Sequence, residues 1–156
     1  MKIERTVLVH LNKVLGQYLI SINQYFLHAR ILKNWGIEKL GHPIYKKSIQ
    51  DMKESDDVIE RILLLEGLPN LQELGKLLIG EDVPEILQCD LDREYQKRTV
   101  LVDAITHFEE VQDYVSRDLL EKMLDESEEY IDWIETQQEN IGLMGLELYL
   151  QKHLER

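Results

Sequence analysis

The heptapeptide Ser48-Ile49-Gln50-Asp51-Met52-Lys53-Glu54 offers two kinds of chemistry on one stretch of chain. At helical spacing Asp51, Ser55, Val58, Ile62 and Leu65 share a stripe, with Glu54 on its flank. Tyr45, Ile49, Met52, Ile59 and Leu63 form the neighbouring stripe. One apolar face therefore carries carboxylates and the next carries a thioether. Buried carboxylates demand a cation, either a metal ion or a basic side chain. The methionine is either core filler or a soft metal ligand. The first face is expected to line a bundle interior and the second to meet another helix or chain.

The elements that must position these groups are helical. From Thr6 to Trp35, Leu8, Leu11, Leu15, Tyr18, Ile22, Tyr25, Ala29 and Leu32 recur at steps of three and four, and Gly36 ends the run. Leu19, Ile22, Asn23 and Phe26 make a second line, which points to a subunit contact. Gly41-His42-Pro43 reads as a turn that starts the second helix, which runs to about Glu66. The stretch to Gly80 has no sustained period and suits a long crossover, with Leu68, Leu71, Leu74, Leu77 and Leu78 packed on the bundle's outside. Asp82 and Pro84 start a third helix, whose face is read as Leu87, Leu91, Glu94, Arg98, Leu101, Ile105 and Phe108. A fourth runs from about Asp113 to Gly142 with Leu120, Met123, Ser127, Tyr130, Ile134 and Gln137 inward, and Leu143 to Leu154 forms a short fifth. The expected fold is an all-α four-helix bundle with a long crossover and a short C-terminal helix, one domain over residues 1–156.

Composition narrows the function. Thirty Asp and Glu against 18 Lys and Arg give a formal charge of −12, which argues against a nucleic-acid binder and suits cationic partners. The single Cys89 cannot form an internal disulfide and fits a reducing compartment. No segment approaches the run of roughly 18 apolar residues that a membrane span needs, so a cytoplasmic location is expected. In such a bundle a carboxylate-bridged di-iron site takes one Glu from each of two helices and a Glu-x-x-His pair from each of the others.

Several blocks in order carry a resemblance over essentially the whole chain. They are Asn23-Gln-Tyr-Phe-Leu-His-Ala-Arg30, Asn34-Trp-Gly36, Glu66-Gly-Leu-Pro-Asn-Leu-Gln72, Ile79-Gly-Glu-Asp82, Asp113-Tyr-Val-Ser-Arg-Asp118 and Ile131-Asp-Trp133. The chain resembles a bacterioferritin. The resemblance implies a ferritin-like bundle in a hollow 24-subunit iron-storage shell, with haem b shared by two subunits at a two-fold contact. It implies Met52 as axial haem ligand and Leu19, Ile22, Asn23, Phe26, Tyr45 and Ile49 as pocket wall. It implies electron delivery by a bacterioferritin-associated ferredoxin, and a minor pore lined by Asn34, Glu66, Asp132 and Thr136.

Carried over position by position, the family's di-iron pattern fails. Tyr18 stands for the first-helix Glu, Asp51-Met-Lys-Glu54 for the first Glu-x-x-His, and Ser127-Glu-Glu-Tyr130 for the second; Glu94 alone survives. Lys46 and Gln50 replace a cavity-facing His and Asp. Neutral phenols, with a pKa of about 10, are poor ligands for ferrous iron. Three readings stay open: Arg98, one turn past Glu94, supplies that buried carboxylate's positive charge, with Asp51 or Glu54 as further partners in an ion-pair and hydrogen-bond network; Arg98 merely reaches solvent; or a weak metal site remains on Asp51, Glu54 and Glu94. The expectation is an iron-storage subunit without an intact ferroxidase centre, joined in a homo- or hetero-oligomeric shell by a ferroxidase-competent sister subunit. The alternatives are a haem-binding structural assembly with little iron, or a ferroxidase with altered ligands. His28 is expected as a packing or surface residue and Tyr25 as core, Trp35 and Trp133 as core or interface anchors, and His10, His42, His107 and His153 as solvent-facing.

Overall fold

Local chemistry sets the helix ends in the computed structural model, which describes residue 1 and residues 3–154. Helix α1 spans Arg5–Asn34, α2 Glu38–Leu64, α3 Val83–Glu110, α4 Tyr114–Met144 and α5 Leu146–Lys152. Asp82 caps α3 by accepting from the Glu85 amide at 2.9 Å, and Asp113 caps α4 by accepting from Ser116 N at 3.1 Å. Three C-termini close alike. Gly36, Glu66 and Gln112 take left-handed φ values of 79°, 61° and 61°. The amides of Ile37, Gly67 and Asp113 then reach back to Leu32, Ile62 and Phe108 carbonyls at 2.9 Å.

Helix α2 begins earlier than the Gly41-His42-Pro43 turn suggests, and Pro43 lies inside it. Lys39 N donates to His153 O at 3.1 Å, so the chain's end satisfies one of α2's first amides. Gly41 is buried where α1 and α2 cross; a Cβ there would stand 3.2 Å from both Ala29 O and Leu32 Cβ. Helix α4 likewise continues through Gly142 and stops at Gly145, whose φ is 85°. The short α5 buries Tyr149 rather than Leu146. Tyr149 OH donates to Gln137 Oε1 at 2.7 Å.

The apolar side chains form two clusters with a polar layer between them. One joins Tyr25–Leu32 of α1, Leu40 and Ile44 of α2, Val83–Leu91 of α3, Tyr130–Ile134 of α4, and Tyr149. The other joins Val7–Tyr18, Val58–Leu65, Leu101–Phe108, and Leu120 with Met123. Reading these in chain order, α1 and α4 run one way, and α2 and α3 the other. A 28-residue helix is about 42 Å long, so the connection from α2 to α3 must run the bundle's length.

Residues 65–82 do this, but not by packing leucines. Leu68, Leu71 and Leu74 are exposed, and only Leu77 and Leu78 are half-buried. Polar anchors hold the crossover instead. Leu78 N donates to Gln24 Oε1 at 3.0 Å, Gly80 N to His28 Nε2 at 3.0 Å, and Arg93 NH2 to Lys76 O at 2.7 Å. His28 is wholly buried and its Nδ1 lies 2.7 Å from Asp90 Oδ1, which also accepts from Gln24 at 2.9 Å. His10 and His107 also turn out half-buried and stacked, with ring centroids 4.5 Å apart. His153 is half-buried too, with Nδ1 2.7 Å from Tyr149 O.

Gln112 is exposed and adopts a left-handed φ that disfavours any Cβ. Gln112→Gly is expected to raise unfolding free energy by about 1 kcal/mol. Urea denaturation measures it; an unchanged or lower midpoint would contradict this account of the α3 C-terminus.

Candidate functional site

The polar layer draws one or more side chains from each long helix. Ser21 comes from α1, Lys47 and Asp51 from α2, Glu94 and Lys97 from α3, and Ser127 from α4; all are buried. Tyr18, Tyr25 and Tyr130 cover it above and below, and Glu54 stands at its edge.

Lys97 is the centre of the layer and has no exposed surface. Its Nζ is 2.6 Å from Asp51 Oδ2 and 3.1 Å from Glu94 Oε1. It also sits 4.4 Å from the Tyr18 ring centroid and 5.3 Å from that of Tyr25, where the ring faces stabilise a cation. Hydroxyl donors add to both carboxylates. Ser21 Oγ donates to Asp51 Oδ2 at 2.7 Å, Tyr25 OH to Glu94 Oε1 at 2.6 Å, and Ser127 Oγ to Glu94 Oε2 at 2.7 Å. Lys47 Nζ is 3.3 Å from Asp51 Oδ1, an ion pair misaligned for a hydrogen bond, and lies 5.3 Å from the Tyr130 ring centroid.

The surroundings bias each titration. Burial drives the Tyr18, Tyr25 and Tyr130 phenols well above their usual range, and neighbouring carboxylates push the same way. They stay neutral, and the hydroxyls of Tyr18 and Tyr130 have no hydrogen-bond partner. Burial tends to lower Lys47, but Asp51, Glu94 and Glu54 outweigh it and the net shift is upward. Glu54 is pushed up to about 7, mainly by burial and only partly offset by Lys47; its Oε1 is buried without a partner.

Arg98 does not join this layer, which corrects the expectation that it supplies the interior charge. It reaches outward and pairs with Glu128 at 2.8 Å, its side chain 39% exposed. Glu94 is followed on the buried face by a step of three to Lys97, then four to Leu101; Arg98 lies about 100° round from Lys97. Lys97 and Lys47 were the residues missed. Their signal was spacing, since Lys97 stands three after Glu94 and Lys47 four before Asp51. Asp51, Glu54 and Glu94 do not converge. Among the described residues, the carboxylate trio whose oxygens come within reach of one ion is the exposed Asp56, Asp57 and Glu60.

About 100° round α2 from Asp51, Met52 is 52% exposed, far from core filler. Phe26 and Tyr45 lie exposed beside the same row, with ring centroids 6.3 Å apart. Leu19, Ile22 and Ile49 are half-buried, and Asn23 is exposed with its Nδ2 tied to Leu19 O at 2.8 Å. Structure thus gathers Met52 and the six pocket candidates along the outer face of the α1–α2 pair. Lys46 and Gln50 face a groove with Glu126, Glu129 and Trp133, and Trp133 stacks on Tyr130 at 5.5 Å. Asn34, Glu66, Asp132 and Thr136 are all exposed. Asn34 ends α1, whereas Glu66 lies 3.4 Å from the Met1 amine at the other end of the bundle, so one chain alone does not bring them together.

A crossover-connected four-helix bundle with a charged mid-layer defines a class. The ferritin-like domain family matches residues 8–144. Bacterioferritin BfrA of Mycobacterium tuberculosis is 42% identical over 143 residues, covering 92% of this chain and 90% of the relative. Bacterioferritin of Mycobacterium leprae is 41% identical with the same coverage. Bacterial ferritin of Synechocystis is 41% identical over 155 residues, covering 99% of both chains. The chain belongs to the bacterioferritin family of iron-storage proteins, within the ferritin-like fold. None of its helices is long and apolar enough to cross a membrane, among the described residues.

The raised Glu54 carboxyl gives a pH test. Between the unfolded value near 4.3 and the folded value of about 7, the folded state holds a proton that the unfolded state releases. Stability from this group is therefore complete below about pH 4.3 and lost as pH rises through about 7. Glu54→Gln is expected to gain on the parent over that window, by up to about 3 kcal/mol at pH 8. Urea midpoints at pH 5 and pH 8 measure it; a constant gap between the two proteins would refute it.

Proposed function

We propose that this chain is an iron-storage subunit that binds haem b through Met52 and has no intact di-iron ferroxidase centre. The observation that carries the reading is the exposed Met52 thioether in an apolar row on the outer face of α1 and α2. A soft sulfur donor amid apolar and aromatic side chains fits a porphyrin iron. Met52 would ligate the iron, with Leu19, Ile22, Asn23, Phe26, Tyr45 and Ile49 against the ring. A two-fold contact would present this face to its own copy, so that one haem b is shared by two subunits. When bound, haem supplies a one-electron route by which ferric mineral can be reduced and released. Asn23 is tied to its own helix and the Met52 carbonyl accepts from Ser55 Oγ at 2.7 Å. The residues around the sulfur are therefore held while the sulfur itself is left free.

The interior does not fit a pair of bridged irons. Lys97 already engages Asp51 and Glu94, the serine hydroxyls fill further lone pairs, and the phenols at two ligand positions stay neutral. The same donor set speaks against a ferroxidase with altered ligands. A subunit of this kind suits a shell of 24 chains shared with a ferroxidase-competent sister, supplied with electrons by a bacterioferritin-associated ferredoxin in the cytoplasm. The exposed polar residues Asn34, Glu66, Asp132 and Thr136 suit a pore assembled from several subunits.

Met52→Leu is expected to fold normally and lose stoichiometric haem, read from absorbance per chain and circular dichroism. Retained haem at one per two chains would overturn the ligand assignment. Ferrous iron added to shells of this chain alone is expected to oxidise without a fast phase saturating at two irons per chain. A saturating phase of that size in stopped-flow absorbance would defeat the reading of the interior.

A further inference from the structure

We infer that the Lys97 ammonium is a tethered cation holding the place of a single hard divalent ion, and that removing it opens a one-metal site between Asp51 and Glu94. This rests on the reading that the native interior holds no di-iron pair, and extends it to say what keeps metal out.

Geometry carries the inference. Lys97 Nζ stands between carboxylates from facing helices, 2.6 Å from one and 3.1 Å from the other, with no exposed surface. An ion at that point needs only a modest contraction, because hard divalent ions sit roughly 2.0–2.6 Å from carboxylate oxygens. The carboxylates are already aimed. Ser21 and Ser127 each hold one at 2.7 Å, and Tyr25 holds Glu94 at 2.6 Å. Such hydroxyl contacts orient metal ligands as well as they orient ion-pair partners.

Charge makes the two occupants exclusive. With Lys97 in place, the carboxylates of Asp51 and Glu94 face the ammonium groups of Lys47 and Lys97. A dipositive ion added there would meet an ammonium inside its first coordination shell. Without Lys97, the two carboxylates face only Lys47, and the space of the lost butylammonium chain can take an ion with its waters. The donors are all oxygen, which selects manganese, magnesium or ferrous iron over soft metals. The site is mononuclear because Glu54 does not converge with Asp51 and Glu94.

The test uses the full chain, its Lys97→Ala and Lys97→Gln variants, and manganese(II) as probe. Manganese uptake by equilibrium dialysis and melting temperature are both read. Ions held at the exposed Asp56–Asp57–Glu60 cluster are common to all three proteins and cancel in the difference. Lys97→Ala is expected to melt lower than the parent without metal and to bind one extra manganese per chain. It should regain about 5–10 °C at a hundredfold excess over Kd. The parent's melting should be unmoved. Adding Asp51→Asn should abolish the gain. If Lys97→Ala does not fold metal-free, manganese-dependent refolding is the expected readout, and Lys97→Gln, which keeps the side-chain bulk, is the folded comparator. Folded variants that take up no extra ion and melt alike with and without manganese would overturn the inference. So would equal interior uptake by the parent. Two irons bound in the parent would instead overturn the reading beneath it, so the two failures are distinguishable.

Discussion

The bundle depends on keeping charge neutral where no water reaches. Asp51 and Glu94 lie between two apolar clusters, at a depth where an unpaired carboxylate would cost several kcal/mol. Lys97 answers both from the centre, and Lys47 answers Asp51 from the side. Ion pairs at this depth add little net stability compared with apolar packing, but removing one partner is costly. Their effect is therefore on register. A slide of α3 past α2 by a residue would separate the Lys97 ammonium from Asp51 and leave it only Glu94 of its own helix.

Much of this was legible in the residues. The four long helices, the cap at Asp82 and the stripe Asp51–Leu65 follow from periodicity and capping chemistry, and they stand close to where expected, with α2 and α4 longer at one end. Pro43 and Gly142 misled because each is a helix-breaker only on average. Pro43 lies within α2's opening turns, and Gly142 sits with nothing within 4 Å of where a Cβ would be. Arg98 misled because steps of three and four are equally helical, and Leu101 stands four past Lys97 and three past Arg98; the buried face goes on through Ala104 and Phe108, in line with Lys97. A lysine was also easy to pass over, since buried lysines are rare unless paired.

The crossover shows a different limit. Its leucines suggested apolar packing, yet its attachment comes from Gln24, His28, Asp90 and Arg93 on two helices far apart in sequence. Nothing local in residues 65–82 names those partners. Gly80 offers a hint only in retrospect. A Cβ there would fall 2.4 Å from Ile86 N, so the chain can make its final approach to α3 at that residue alone.

Asp51 and Met52 are neighbours on one helix, and their side chains leave it about 100° apart. The acid is held across the core by Lys97 of α3 and Ser21 of α1 while the sulfur looks outward. Helix α2 is thus pinned against rolling about its own axis. Any torque that swung the thioether sideways would drag the carboxylate off its partners. The electrostatics of a place no solvent touches thereby set the aim of an atom on the outer wall.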